Sequence, residues 1–281
     1  MWRKSERSER SEKWEVRNGE VEKLLTIHFS LSSLLAPERR LNMSKSFFVD
    51  TTLCTACRGC QVACKQWHDL PAEKTVNRGT YENPPDLSFN TYKIVRMREE
   101  VIDGKLKWLF FPEQCRHCIE PPCRDTAGDP KAIYKDEATG AVIFTEKTRE
   151  LAAEDIIQSC PYNIPRKGPD GALAKCDMCL DRVQAGLLPA CVKTCPTGTM
   201  NFGDRNQMLD LAKSRLASVK TKFPQAQLID AEDVEVICLV AYAPAKYHEN
   251  AVASNSVEHM TRQLALRKMF RPLANIASAI G

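Results

Sequence analysis

Apolar residues between positions 46 and 241 fall into short runs parted by polar, turn-rich stretches, and each run predicts an element. Residues 47–49 read as a strand, 54–60 as a cysteine-bearing loop and 61–69 as a short helix. A polar insertion rich in Pro and Asn follows, and strand-like runs return at 92–97 and 107–111. Residues 132–145 carry an apolar run on each side of 136–140, which predicts a β-hairpin, while Gly168 and Gly171 beside Pro169 and Asp170 mark a turn. Met208, Leu211, Leu216 and Val219 set an approximate helical stripe over 207–223, and 234–241 reads as a buried strand. Strands and helices mixed around cysteine loops predict an α+β fold.

Both ends depart from this pattern. Residues 1–42 open with SERSERSEK and hold neither a cysteine nor a clear core pattern. Arg39 and Arg40 stand just ahead of Met43, where tandem AGG codons would spell a ribosome-binding site, so Met43 is read as the true start and 1–42 as an untranslated extension. As a secretory signal that segment fails, because its apolar stretch at 31–36 is weak and preceded by acidic residues, and no twin-arginine signal stands near the N-terminus. No apolar run approaches the roughly 18 to 20 residues a membrane span needs. Residues 261–281 mix Arg262, Arg267, Lys268 and Arg271 with Leu264, Leu266, Met269, Phe270 and Leu273. They are read as a helix packed on this chain or a partner rather than on a membrane surface.

Thirteen cysteines in 281 residues change the picture. Most sit in tight C-x2-C groups, whereas disulfide scaffolds are short secreted chains with wider spacings, so metal binding is the better reading. Cys54, Cys57, Cys60 and Cys64 form C-x2-C-x2-C-x3-C, the bacterial ferredoxin run, whose fourth cysteine ligates the other cluster of a pair. Three thiolates on one tight loop wrap three iron corners, and the following helix turns the fourth away. Cys176, Cys179, Cys191 and Cys195, followed by Pro196, supply the complement. Exchange of the fourth cysteines gives one set of Cys54, Cys57, Cys60 and Cys195, and a second of Cys176, Cys179, Cys191 and Cys64.

Between these groups lie Cys115, Cys118 and Cys123, then a lone Cys160 followed by Pro161. Ferredoxin spacing would put four more cysteines at or near Ala127, Glu150, Ala153 and Ile156. The four absent ligands make one complete set under the exchange rule, and the four that remain, Cys115, Cys118, Cys123 and Cys160, make another. The expected cofactors are therefore three [4Fe–4S] clusters. Cys238, in an apolar run, is read as a small buried hydrophobe. Structural zinc on a redox-inert scaffold is the alternative, but it accounts for neither the three-thiolate loop nor the C–P endings. The formal charge of +4 also loses its meaning, since twelve thiolates and three cores of charge +2 would bring it to roughly −2. Basic residues are scattered among acidic ones, and no nucleic-acid partner is expected.

Over residues 46–203 the chain resembles the four-cluster ferredoxin-type subunits that accompany molybdopterin oxidoreductases. CTACRGCQVACKQW, the insertion ending NPPDLS, LFFPEQCRHCIEPPC and LPACVKTCPTGTMNFGD are similar to β subunits of formate dehydrogenases, above all the three-cluster soluble form. Two departures from the respiratory relatives stand out: the fourth cluster is missing, and so is a C-terminal transmembrane helix, which implies a soluble complex. Lys65 follows Cys64 where a simple ferredoxin has proline.

The resemblance implies two interlocked ferredoxin-like modules. An outer one joins 54–64 to 176–195, a second is inserted at about 80–168, and 204–281 forms a helix and strand that pack on the core or grip another subunit. The domains are thus an extension, 1–42, an iron–sulfur domain, 43–203, and a docking segment, 204–281. The implied partner is a molybdenum or tungsten bis-pterin catalytic subunit, with a cytochrome c or other redox protein as acceptor. A dimethyl sulfoxide, polysulfide or nitrate reductase is the alternative complex. Export with a signal-bearing partner implies the periplasm, and the cytoplasm is the other option. His117, between Cys115 and Cys118, is read as a loop residue because Cys160 completes its set. Lys65, Lys175 and Lys193 lie beside thiolates, either tuning potentials or simply solvated. No nucleotide-binding glycine motif or nucleophile elbow occurs, so no catalytic residue is expected here and formate chemistry is assigned to the partner.

Overall fold

The computed structural model describes residues 44–254, so the extension at 1–42, the start at Met43 and the stretch 261–281 lie outside the described residues. Among the described residues the largest sheet has four strands in the order β8–β1–β10–β9. They are β1 (Lys45–Asp50), β8 (Met200–Asp204), β9 (Gln227–Ile229) and β10 (Val236–Val240). β1 lies between antiparallel β8 and parallel β10, with Phe47 opposite Val236 and Phe202. Side chains alternate across a strand, and both faces of this sheet are covered. Phe47, Val49, Val236, Cys238 and Val240 pack toward the cysteine loops. Phe48, Ile237 and Leu239 pack with Ala212 and Val219 of α6 (Arg205–Lys220) on the other side. That two-sided burial explains an apolar run without alternation at 234–241.

The helix starts two residues earlier than the stripe predicts, and its buried line runs through Ala212 and Val219 with Met208 and Leu216 half-buried. Leu211, placed on the inner stripe from sequence, is 36% exposed. The correction follows from Arg205, which enters the core at the first turn. Arg205 Nη1 donates to Glu235 Oε2 at 2.8 Å and to the Val234 carbonyl at 2.7 Å. Glu235, 2% exposed, also accepts from Ser46 Oγ at 2.6 Å, with Lys135 Nζ 3.7 Å away. Removing one partner of a buried pair leaves an uncompensated charge, so Arg205→Met should destabilise the protein by about 3 kcal/mol. The check is a thermal midpoint lowered by several degrees.

The central segment adds a long hairpin, β2 (Ile94–Ile102) with β3 (Lys105–Glu113), each strand longer than the sequence patterning predicts. Asp103 (φ 51°) and Gly104 (φ 69°) form its two-residue turn, an Asp-Gly connection of the kind that suits the right-handed twist of paired strands. A second hairpin, β4 (Ile133–Lys135) with β5 (Val142–Phe144), stands where 132–145 predicts one. Its turn needs Gly140, at φ +77°, because a Cβ there would lie 2.8 Å from Glu235 Oε1. Backbone bonds from Glu235 to the Arg116 carbonyl, 3.1 Å, and from Ile119 to the Asp233 carbonyl, 2.9 Å, tie this segment to the approach of β10.

Candidate metal centre

β1 delivers the first cysteine loop. Asp50, 1% exposed, caps the turn after the strand by accepting from Thr52 N at 3.0 Å and Oγ1 at 2.5 Å, and Arg215 Nε holds its other oxygen at 2.9 Å. Beyond the turn the loop feeds α1 (Gly59–Trp67), which carries Cys60 and Cys64 one helical turn apart. α1 packs on α5 (Ala190–Lys193), which carries Cys191 and is followed at once by Cys195. Helix-to-helix packing thus brings residues 54–64 to residues 176–195.

The same local device recurs in the loops that follow Cys54, Cys115 and Cys176. Ala56 (φ 53°), His117 (φ 47°) and Met178 (φ 67°) occupy the left-handed region. Each sends its backbone N–H to the sulfur two residues earlier, at 3.5 Å to Cys54, 3.4 Å to Cys115 and 3.4 Å to Cys176. Ile164 N approaches Cys160 Sγ at 3.5 Å in the same manner. Amides aimed at sulfur favour a thiolate bound to metal.

Cys54, Cys57, Cys60 and Cys195 line one space, closed by Val95, Pro112 and Met200. Cys115, Cys118, Cys123 and Cys160 line another, closed by Pro121, Pro122, Pro161, Pro165 and Ile164. Cys64 lies in electrostatic reach of Cys191 and Cys179, and Cys176 in reach of Cys64 and Cys179. The groups also lie in electrostatic reach of one another, Cys191 of Cys60 and Cys176 of Cys115. Their order is therefore the 54/57/60/195 group, then 64/176/179/191, then 115/118/123/160.

As free thiols these cysteines are expensive to ionise. Burial raises Cys54 and Cys160 to about 11 and Cys123 and Cys179 to about 12, with neighbouring cysteines adding to the rise. Cys195 runs the other way: burial would raise it, but the amides of Met200, Thr197 and Thr199 and the Thr197 hydroxyl bring it below the ordinary thiol value. Thiols that resist ionisation alone suit a cation that deprotonates its ligands. A second observation fits a sulfide-bearing group. Arg116, which lines the Cys115 space, has a buried Nε with no hydrogen-bond partner among the described residues, and inorganic sulfide would supply an acceptor there.

His117 accepts from Val142 N–H at 3.0 Å through Nδ1, and burial, reinforced by Lys175 and Lys135, holds its pKa well below the ordinary value. Of the three lysines singled out beside thiolates, only Lys175 is buried; its Nζ donates to the Cys176 carbonyl at 3.0 Å and lies 4.6 Å over the Phe144 ring. Lys65 instead ties down the insertion through the Pro71 and Asn90 carbonyls, at 2.8 and 2.6 Å, and Lys193 is exposed. His68 Nε2, which sequence reasoning passed over, stands 3.6 Å from Cys179 Sγ and 3.3 Å from Asp177. A fully buried Lys93 was also missed, and nothing in its local sequence marks it.

Ala127, Ala153 and Ile156, three of the positions where ferredoxin spacing would place further cysteines, meet in one apolar cluster with Cys123, Ile133, Val142 and Leu173. Glu150 points to solvent. Hydrocarbon side chains pack together at these positions. No helix among the described residues is long and apolar enough to cross a membrane.

Residues 106–205 match a family described as a 4Fe-4S dicluster domain. The formate dehydrogenase subunit beta of Megalodesulfovibrio gigas is 59% identical over 215 residues, covering 75% of this chain and 100% of that protein. The formate dehydrogenase 2 subunit beta (cytochrome c-553) of Nitratidesulfovibrio vulgaris is 56% identical over 216 residues, 74% and 99% of the two chains. The nitrate-inducible formate dehydrogenase iron-sulfur subunit of Escherichia coli is 38% identical over 207 residues, 71% and 70%.

Proposed function

Because the chain belongs to the beta, or iron–sulfur, subunits of formate dehydrogenase, we propose that it holds three [4Fe–4S] clusters in series and carries electrons from a molybdenum or tungsten bis-pterin catalytic subunit to an external redox protein. The chain is an electron-transfer subunit; formate oxidation belongs to the catalytic partner. The proposed ligands are Cys54, Cys57, Cys60 and Cys195 for the first cluster, Cys64, Cys176, Cys179 and Cys191 for the second, and Cys115, Cys118, Cys123 and Cys160 for the third. The observation that carries this reading is the convergence of the first and third sets each on a shared space, with the second set in mutual electrostatic reach, behind loops of one repeated geometry.

When bound, each cluster would take up and release one electron at a time. The protein's part is to hold the thiolates, aim amides at them and keep water out with proline and aliphatic side chains. Cys57 is the one exposed cysteine of the thirteen, which opens the first end of the series to a partner. The proposed domains are an outer module built from 54–64 and 176–195, an inserted module at about 80–168, and a segment from 204 whose strand β10 lies beside β1. A cytochrome acceptor is supported by the name of the N. vulgaris relative. Periplasmic placement, by export with a signal-bearing partner, goes with such an acceptor.

Anaerobically prepared protein should contain about twelve iron and twelve sulfide per chain, from three four-iron clusters. Eight or sixteen of each would overturn the count. The copurified large subunit should reduce these clusters with formate, and its failure to do so would overturn the assignment of the complex.

A further inference from the structure

Lys93 is 2% exposed and stands one residue ahead of β2, where its Nζ donates to Gln114 Oε1. Its chain neighbours face cysteines of all three proposed sets. Ile94 packs with Cys115 and Cys176, while Val95 lines the space formed by Cys54, Cys57, Cys60 and Cys195. The strongest electrostatic partners of the ammonium are Cys60, Cys191, Cys176 and Cys64, drawn from two of the proposed ligand sets. Gln114, its hydrogen-bond partner, is neutral, and an ammonium buried without an opposing charge is strongly disfavoured. The compensating negative charge must come from those two thiolate sets.

We propose, resting on the three-cluster reading above, that Lys93 is a positioning residue shared by the first and second clusters, its fixed positive charge favouring the reduced state of both. Each reduction adds one electron and makes the group one unit more negative, with no bond made or broken; the electrons come from formate through the catalytic subunit. A positive charge held in a medium of low dielectric between two such groups draws both potentials upward together. A common shift leaves the step between them unchanged. The third cluster, further along the series, has Lys175 in the corresponding place, in electrostatic reach of Cys123 and Cys160.

The test is a redox titration of the holocomplex followed by electron paramagnetic resonance, comparing the natural protein with Lys93→Met. Two of the three cluster couples should move to more negative potential, the reduced-to-oxidised ratio at fixed potential falling about tenfold, about 59 mV for one electron. The third should change by less than about twofold. Lys93→Arg should restore the pair, which a purely structural role would not require. Lys93→Gln, able to keep the bond to Gln114, carries the same test if the methionine variant does not accumulate. With iron and sulfide unchanged, no shift, or an equal shift in all three, overturns the role of Lys93. An iron count other than twelve in the natural protein would instead overturn the three-cluster reading.

Discussion

Cys160→Ala should lower iron from about twelve to about eight per chain and remove one of three paramagnetic signals, although Cys160 lies far along the chain from its partners. It follows α3 (Ala153–Gln158) and lines the same space as Cys115, Cys118 and Cys123. Loss of an outer-shell partner of a metal ligand typically costs 10 to 100-fold, so loss of a ligand should slow formate-driven reduction of the external acceptor by about tenfold or more. Cys238→Ser is the control. Cys238 sits in β10, 1% exposed, with Arg116 Nη1 3.7 Å from its sulfur, and all three signals should survive its replacement. A Cys160→Ala protein with full iron content and three signals would remove the third proposed set.

The second large effect separates crossed from local ligation. Cys195→Ala should abolish the cluster proposed on Cys54, Cys57 and Cys60 and spare the one on Cys176, Cys179 and Cys191, which stands nearest to Cys195 in sequence. The cause is the packing of α1 on α5: Cys195 shares a space with Cys54, Cys57 and Cys60, while Cys64 reaches Cys191 and Cys179. Cys64→Ala should give the mirror result. If Cys195→Ala instead removes the second cluster and leaves the first, ligation is local and the crossed scheme fails.

Much of this was legible in the residues because cysteine loops are local chemistry. In the loops after Cys54, Cys115 and Cys176 one residue takes the left-handed region and its amide meets the sulfur, and the spacing that marks these loops is local. The four absent cysteines were readable for the same reason, and the apolar packing of Ala127, Ala153 and Ile156 gives that absence a physical form. What was not legible depends on distant partners. Leu211 looked inward on a stripe, but the entry of Arg205 toward Glu235 rotates the helix so that Leu211 faces water. The hairpin strands ran longer than their apolar cores because backbone pairing continues through Glu99 and Lys107 to the Asp103–Gly104 turn. Lys93 gave no local sign, since its burial comes from what the rest of the fold places around it.

The central position of β1 bears on how the protein is made. Its sheet neighbours, β8 and β10, come from residues 200–240, so the first described strand to leave the ribosome waits for two of the last described ones. Under the proposed ligation the Cys115 group closes once residue 160 has emerged, the second group only with Cys191, and the first not before Cys195. Order of completion is thus nearly the reverse of order of synthesis. A ribosome-bound fragment can present one finished nest to the iron-delivery machinery while its earliest cysteines are still unmatched thiols, open to oxidation and to stray metals. Hosts that translate quickly relative to iron supply should accumulate chains deficient first in the cluster nearest the N-terminus.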